Sequence, residues 1–489
     1  MKRKITLLAS LLLAGTVTVF AQDFGQYDKA DPKDLVKSKD LTIQQLEGIH
    51  NYYQFKLKNK QKADELASLL IAKDPQGKFA RLTAFQKAMP AKNNQEMIAQ
   101  YEKFLAEFPY EHWSKSPNGQ SFIYYTVHRG LGTAYFETRQ FDKLFAMLKP
   151  LTFKTENEVF RWNVMRAYVF KLIGQDTLYE VATPLIKELL AKVKDGSYVE
   201  SGVFTPETAQ HNANQQMDNE LGTYISLLRD MKKYNDVKRY FSFLSEKGKY
   251  ADAERNSMYL DALLQTKDEQ AIQPFLEKCM AANAMTPLML EELKKQYVKK
   301  NNSAEGYEAY TSSLRSKDEQ GALLAYVKEH MTNEEFMPFA VEDADGKTIR
   351  SSDWNNRIVV IDFWATWCKP CIQAFPGMQL LVDQYSKDDK VKIFLMGTMQ
   401  TGDYKEKSVG FVKREGYRFH LLHDNKNQKN GEQDAVFKTF VPFFKSSAIP
   451  RKVILKDGVM RYTSEGYSGS PSKLAEELSM AIEILKKEN

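Results

Sequence analysis

Along most of this chain apolar residues return at intervals of three and four. Ala99, Tyr101, Phe104, Leu105 and Phe108 form one such run, which Pro109 ends. That spacing puts them on one helical face. Similar runs at 159–173, 185–193 and 221–231 predict further helices, and few strand-like alternations interrupt the stretch from 41 to about 331. The pattern changes near Phe336. Residues 339–343 and 348–349, parted by Asp345-Gly346, read as a hairpin followed by a polar connection at 352–356. Residues 358–364, nearly all apolar or β-branched and broken by Asp362, read as a buried parallel strand. The following helix, which Pro376 is expected to bend or locally disrupt, resumes its apolar face at Met378, Leu380, Leu381 and Tyr385. Strands are expected at 391–396 and 419–423, helices at 403–414 and 433–440, and a tight hairpin at 452–455 and 459–462 around Asp457-Gly458. Leu474, Leu478, Ala481, Ile482 and Leu485 stripe a last helix. The predicted fold class is an all-helical N-terminal module followed by a mixed sheet with helices on both faces.

The helical part repeats itself weakly. Leu131-Gly132-Thr133-Ala134-Tyr135 finds an echo in Leu221-Gly222-Thr223-Tyr224, and Ala167-Tyr168 lies 33 residues after Ala134-Tyr135. Small residues let helices approach and later aromatics fill the crossing, so these segments resemble tetratricopeptide-like hairpins. An irregular bundle is the alternative.

A chain of 489 residues, 43% hydrophobic and 27% charged, suits two or three globular domains. Residues 1–21 join a basic start (Lys2, Arg3, Lys4) to an apolar centre and end in Val19-Phe20-Ala21, the pattern of a signal peptide. The expected division is therefore a signal peptide at 1–21, a helical, partner-binding module at 22–333 and a second domain at 334–489. The location implied is periplasmic or otherwise secreted. No later stretch approaches the roughly 20 apolar residues that span a bilayer, so no integral membrane segment is expected after signal removal. The formal charge of +6, reduced further by loss of the leader, is too mild to argue for nucleic acid.

Three cysteines cannot staple a chain this long into a disulfide framework. Cys279 reads as a buried helical thiol. Cys368 and Cys371, two residues apart where strand gives way to helix, carry the chemistry. A sulfur in the first helical turn meets backbone N–H groups that lack intrahelical partners, and the helix dipole favours its thiolate. Cys368 is thus the expected nucleophile, and Cys371 the residue that resolves the mixed disulfide. The charge of Lys369 favours the thiolate modestly. No metal cluster or Cys-x-x-Cys-His haem motif is present, so neither metal nor cofactor is expected.

The run Phe363-Trp364-Ala365-Thr366-Trp367-Cys368-Lys369-Pro370-Cys371 resembles the exported, thioredoxin-like thiol-disulfide oxidoreductases of the TlpA/ResA type, over about the last third of the chain. The resemblance implies a thioredoxin-like sheet and transfer of reducing equivalents to a protein or small-molecule disulfide, with a separate redox partner. It implies that Ile449-Pro450 is the cis-proline loop facing Cys368 and presenting main-chain groups to substrate. Trp367 would shield the sulfur and contact substrate. Asp362 would move a proton when Cys371 attacks. Ala374 departs from the pattern, standing where many exported members carry glutamate. Arg451 is either a contact for an acidic substrate or a solvent-facing charge.

The reading favoured is a periplasmic oxidoreductase that reduces protein disulfides. The alternative is a partner-binding or scaffold protein whose thioredoxin-like domain is inert. A peroxidase reading lacks the expected setting of one isolated peroxide-reactive cysteine. Oligomeric state has no signal in the sequence.

Overall fold

The computed structural model describes residues 24–113, 121–199, 204–402, 404–429, 431–444 and 446–488. The expected signal peptide at 1–21 lies outside them. Among the described residues no helix is long and apolar enough to cross a membrane. The chain divides into two compact units, Met1–Ala213 and Asn214–Asn489.

The first unit is helical throughout its described part. Asn94–Glu107 buries Ile98, Tyr101 and Phe104, the face that the sequence spacing marks out. Asn93 caps this helix by accepting the Glu96 N–H at 2.9 Å. Gly132, in Ser121–Glu137, lies so close to Phe153–Phe160 that a Cβ there would meet both γ-carbons of Val159 at 3.0 Å. A small residue is what that approach requires. Gln175–Lys194 buries Leu178, Val181, Leu185, Ile186 and Leu189. Its Lys192 is nearly enclosed and pairs with Glu156 at 2.5 Å and Glu188 at 3.2 Å.

The second unit carries the helices Tyr234–Phe241, Ala253–Gln265, Glu269–Ala281, Pro287–Asn301, Tyr307–Leu314 and Lys317–Glu329 before its sheet begins. Cys279 is fully buried in one of them, and burial pushes its thiol pKa up. Eight strands follow: β1 (Met331–Glu335), β2 (Ala340–Asp343), β3 (Thr348–Arg350), β4 (Ile358–Trp364), β5 (Val391–Gly397), β6 (His420–His423), β7 (Arg451–Lys456) and β8 (Val459–Glu465). They form one sheet in the order β1-β8-β7-β4-β5-β6-β2-β3. The pairs β4·β5 and β5·β6 are parallel, and the rest are antiparallel. The predicted buried strand β4 is therefore parallel to one neighbour and antiparallel to the other.

Alternation along β4 divides the core. Ile358, Val360 and Trp364 join the cysteine-bearing helix Lys369–Gln384 and the C-terminal helix Pro471–Lys486. Val359, Ile361 and Phe363 face Ala435–Phe440 instead. A mixed sheet flanked by helices on both faces, of thioredoxin-like architecture, results. Pro376 does not end the cysteine helix, which runs unbroken from Lys369 to Gln384.

Candidate active site

All seven residues of β4 are buried, which gives the chain after it a rigid point of departure. Ala365, Thr366 and Trp367 turn the chain, and Cys368 then stands as the capping residue of the cysteine helix in extended conformation. Its sulfur accepts the Cys371 N–H at 3.3 Å, a first-turn donor that it shares with the Cys368 carbonyl at 3.1 Å. Pro370, within that turn, has no N–H to leave unpaired. Cys368 and Cys371 are joined as a disulfide, with Cα atoms 5.3 Å apart. Cys368 is 3% exposed and Cys371 0%, so an incoming group meets Cys368 along a narrow edge.

Most of the residues singled out in the sequence converge on that edge. The Cys368 sulfur lies 3.8 Å from the carbonyl oxygen of Ile449, and the Ile449-Pro450 bond is cis. Gly466 holds this loop from behind, its N–H donating to the Pro450 carbonyl at 2.9 Å. Trp367 is 56% exposed, its indole N–H donating to the Met399 carbonyl at 2.9 Å. Lys369 is exposed. Ala374 packs fully buried among apolar neighbours.

Asp362 sits deeper. It shares the β4 face of Val360 and Trp364, beneath the cysteine helix, and is fully buried. Among the described residues neither of its carboxylate oxygens has a hydrogen-bond partner. Burial raises its pKa to about 6, a shift that the positive charge of Lys452 opposes. Lys452 is its direct neighbour in β7, also fully buried, donating to the Gly466 carbonyl at 2.7 Å. Burial lowers the Lys452 pKa, against the pull of Asp362 and Glu477. Glu477 accepts from Tyr462 at 2.9 Å and Ser464 at 2.7 Å. A buried charged group needs partners, and here acid and base arrive on adjoining strands.

Arg451 is neither solvent-facing nor free for substrate. It is buried, pairs with Glu465, and lays its guanidinium 4.3 Å from the centre of the Phe444 ring. Two residues beside the site escape a reading of the sequence: Lys452, and Gln400, whose side-chain oxygen accepts the Thr366 N–H at 3.1 Å. A lysine directly before the apolar run Val453-Ile454-Leu455 is the available signal for the first. The second had none.

Residues 332–463 match the AhpC/TSA family. The chain is 35% identical over 102 residues to thiol-disulfide oxidoreductase ResA of Bacillus thuringiensis subsp. konkukian, covering 21% of this chain and 53% of that protein. It is 35% identical over 92 residues to ResA of Bacillus subtilis, covering 18% and 48%. It thus spans about half the length of the curated relatives it matches. Among solved structures, a thiol:disulfide interchange protein of the thioredoxin family from Chlorobium tepidum TLS is 16% identical, covering 31% of this chain and 97% of that one, with a TM-score of 0.26. StoA from Bacillus subtilis is 19% identical, covering 29% and 96%, with a TM-score of 0.23.

Proposed function

We propose that this chain is an exported thiol-disulfide oxidoreductase of the TlpA/ResA type that reduces protein disulfides. One observation carries the reading: a Cys-x-x-Cys disulfide heads a helix, with the sulfur of its first cysteine 3.8 Å from the carbonyl that precedes a cis-proline. In the reduced enzyme the Cys368 thiolate attacks one sulfur of the target disulfide, forming a mixed disulfide and expelling the other sulfur as a thiolate. Cys371 then attacks Cys368, releases the second thiolate and closes the local disulfide. Two electrons pass to the target, and a separate dithiol donor restores the enzyme. Asp362 accepts the proton that Cys371 loses. The Ile449-Pro450 loop and Trp367 flank an extended substrate, while Lys369 adds positive charge beside the attacking sulfur.

In this reading residues 1–21 are a signal peptide, placing the mature protein in the periplasm or outside the cell. Residues 22–333 form a repeat-like, tetratricopeptide-type module that selects a protein partner for the redox domain at 334–489. Support for that role comes from the exposed aromatic and aliphatic side chains Trp162, Phe170 and Leu172, close together in sequence in the helical part.

The test is trapping with Cys371→Ser. Cys368 can still attack, but nothing resolves the product, so a mixed disulfide with a protein disulfide such as that of insulin accumulates. Wild-type protein should instead turn over, with a reduction potential near about −270 mV; a value near about −120 mV reverses the direction to oxidation. A disulfide inert to dithiothreitol leaves a scaffold instead, and rapid consumption of peroxide by the reduced protein makes it a peroxidase.

A further inference from the structure

Trp367 is held by the segment that follows β5. Its indole N–H donates to the Met399 carbonyl at 2.9 Å, and Met399 stands in the left-handed region at φ 51°. The Met399 N–H donates in turn to the Gln433 carbonyl at 2.7 Å. Beside it, Gln400 is buried and turns its side-chain oxygen to the bend that presents Cys368. That oxygen accepts the Thr366 backbone N–H at 3.1 Å and the Thr366 hydroxyl at 2.9 Å. A backbone N–H can only donate, so the amide must present its oxygen there.

The anchor is itself rigid. Thr398 donates its N–H to the Trp364 carbonyl and its hydroxyl to the Asp424 carboxylate, both at 2.9 Å. Asp424 also accepts the Val436 and Phe437 N–H groups at 2.7 and 3.0 Å, and its own carbonyl receives the Gln433 side chain at 2.7 Å. Residues 398–400 are thereby fastened to the body of the sheet on the side away from the cysteine helix.

Cys368 offers only 3% of its surface while Trp367 offers 56%. Trp367 is therefore the broad surface beside the sulfur that a bound polypeptide would meet. We propose that Gln400 is a positioning residue that fixes the Thr366-Trp367 bend, holding Trp367 as a wall of the groove through which a protein disulfide reaches Cys368. This rests on the thiol-disulfide exchange proposed above. Gln400 touches neither sulfur, so its loss leaves the reactivity of Cys368 intact. The bend must then be ordered afresh by each bound polypeptide, a cost that a small disulfide does not incur.

The full chain is the protein to test, with insulin as the protein disulfide and Ellman's reagent, reacted with the pre-reduced enzyme, as the small one. Gln400→Leu removes the acceptor, and its KM for insulin should rise about tenfold with kcat within about twofold and the Ellman rate unchanged. Thr366→Val removes one of the two bonds and should give a smaller rise in KM. Gln400→Glu keeps an acceptor oxygen in place and should restore KM. Should Gln400→Leu fail to fold, Thr366→Val and Gln400→Glu still decide the matter. An unchanged KM for insulin in the variants lacking these bonds overturns the proposal, as does an Ellman rate that falls in step with insulin turnover. A wild-type protein that reduces neither substrate defeats the exchange reading itself.

Discussion

Asp362 brings a carboxylate without a hydrogen-bond donor into the apolar layer beneath the cysteine helix, and on its proposed role the two protonation states should pull stability and activity in opposite directions. Its folded pKa of about 6 lies above the unfolded value of about 3.9. The folded chain therefore binds this proton more tightly. The group's contribution to stability is complete below about pH 4 and is lost as pH rises through about 6, by on the order of 2–3 kcal/mol. Urea denaturation between pH 4 and 7 should show that decline, and Asp362→Asn should flatten it. Exchange should run the other way. On the role proposed for Asp362, the ionised carboxylate takes the proton of Cys371, and single-turnover release of the mixed disulfide should accelerate as pH passes through about 6. Asp362→Asn should lose that limb and slow release by on the order of a hundredfold. A variant with the wild-type pH profile would remove Asp362 from the chemistry. Lys452 tests the same pair from the other side, since its positive charge holds the Asp362 pKa down. Lys452→Met should shift the limb to higher pH.

At the scale of elements, the contact between the cysteine helix and the C-terminal helix turns on Gly377. A Cβ there would lie 2.9 Å from the Pro471 carbonyl oxygen and 3.1 Å from the Pro471 Cα. Helix propensity alone favours Gly377→Ala by about 1 kcal/mol. The facing atoms are backbone at a helix start, however, where Ser470 already caps the chain by accepting the Lys473 N–H, so they have little room to withdraw. Overpacking of about 1–3 kcal/mol should win, and the melting temperature should fall; a rise would mean that the two helices part freely. These same elements mark what a sequence can disclose. The strands 391–396 and 452–455 and the last helix are legible because their apolar residues keep one period, and Cys368 with Cys371 because their spacing is itself the signal. The strand β1, Met-Thr-Asn-Glu-Glu, is not, because it lies at a sheet edge and none of its side chains is more than partly buried. Its place comes from pairing with β8, not from a pattern of its own. Lys452 and Gln400 are hidden for a related reason. Lys452 acquires its partner through the register of β7 on β4, and Gln400 through a loop that folds back onto Thr366.

In the Asn214–Asn489 unit the redox sheet and the helices before it share one framework. The Asn283 carbonyl accepts the Ser470 hydroxyl at 2.6 Å, and the Asn283 amide donates to Glu476 at 2.8 Å. Arg315 reaches Glu476 at 2.7 Å, while Met285 and Ser472 exchange two further hydrogen bonds at 3.1 and 3.2 Å. This seam lies at the end of the loop whose Gly466 braces both Pro450 and Lys452, so the helices steady the ground beside the active site. On the far side of the sheet order, β1 covers the outer edge of β8. A fragment beginning at Phe336 would lose both supports. The β8 edge would present unpaired N–H and C=O groups, an invitation to intermolecular pairing. The partly buried Glu476 would lose the Asn283 and Arg315 donors, at about 1–3 kcal/mol for each charged hydrogen bond. Residues 336–489 should therefore unfold at lower temperature than residues 214–489, self-associate in sedimentation and reduce insulin more slowly. If the shorter fragment stays monomeric and matches the longer one in melting and turnover, the preceding helices contribute nothing to the redox fold, and partner selection is left as their role.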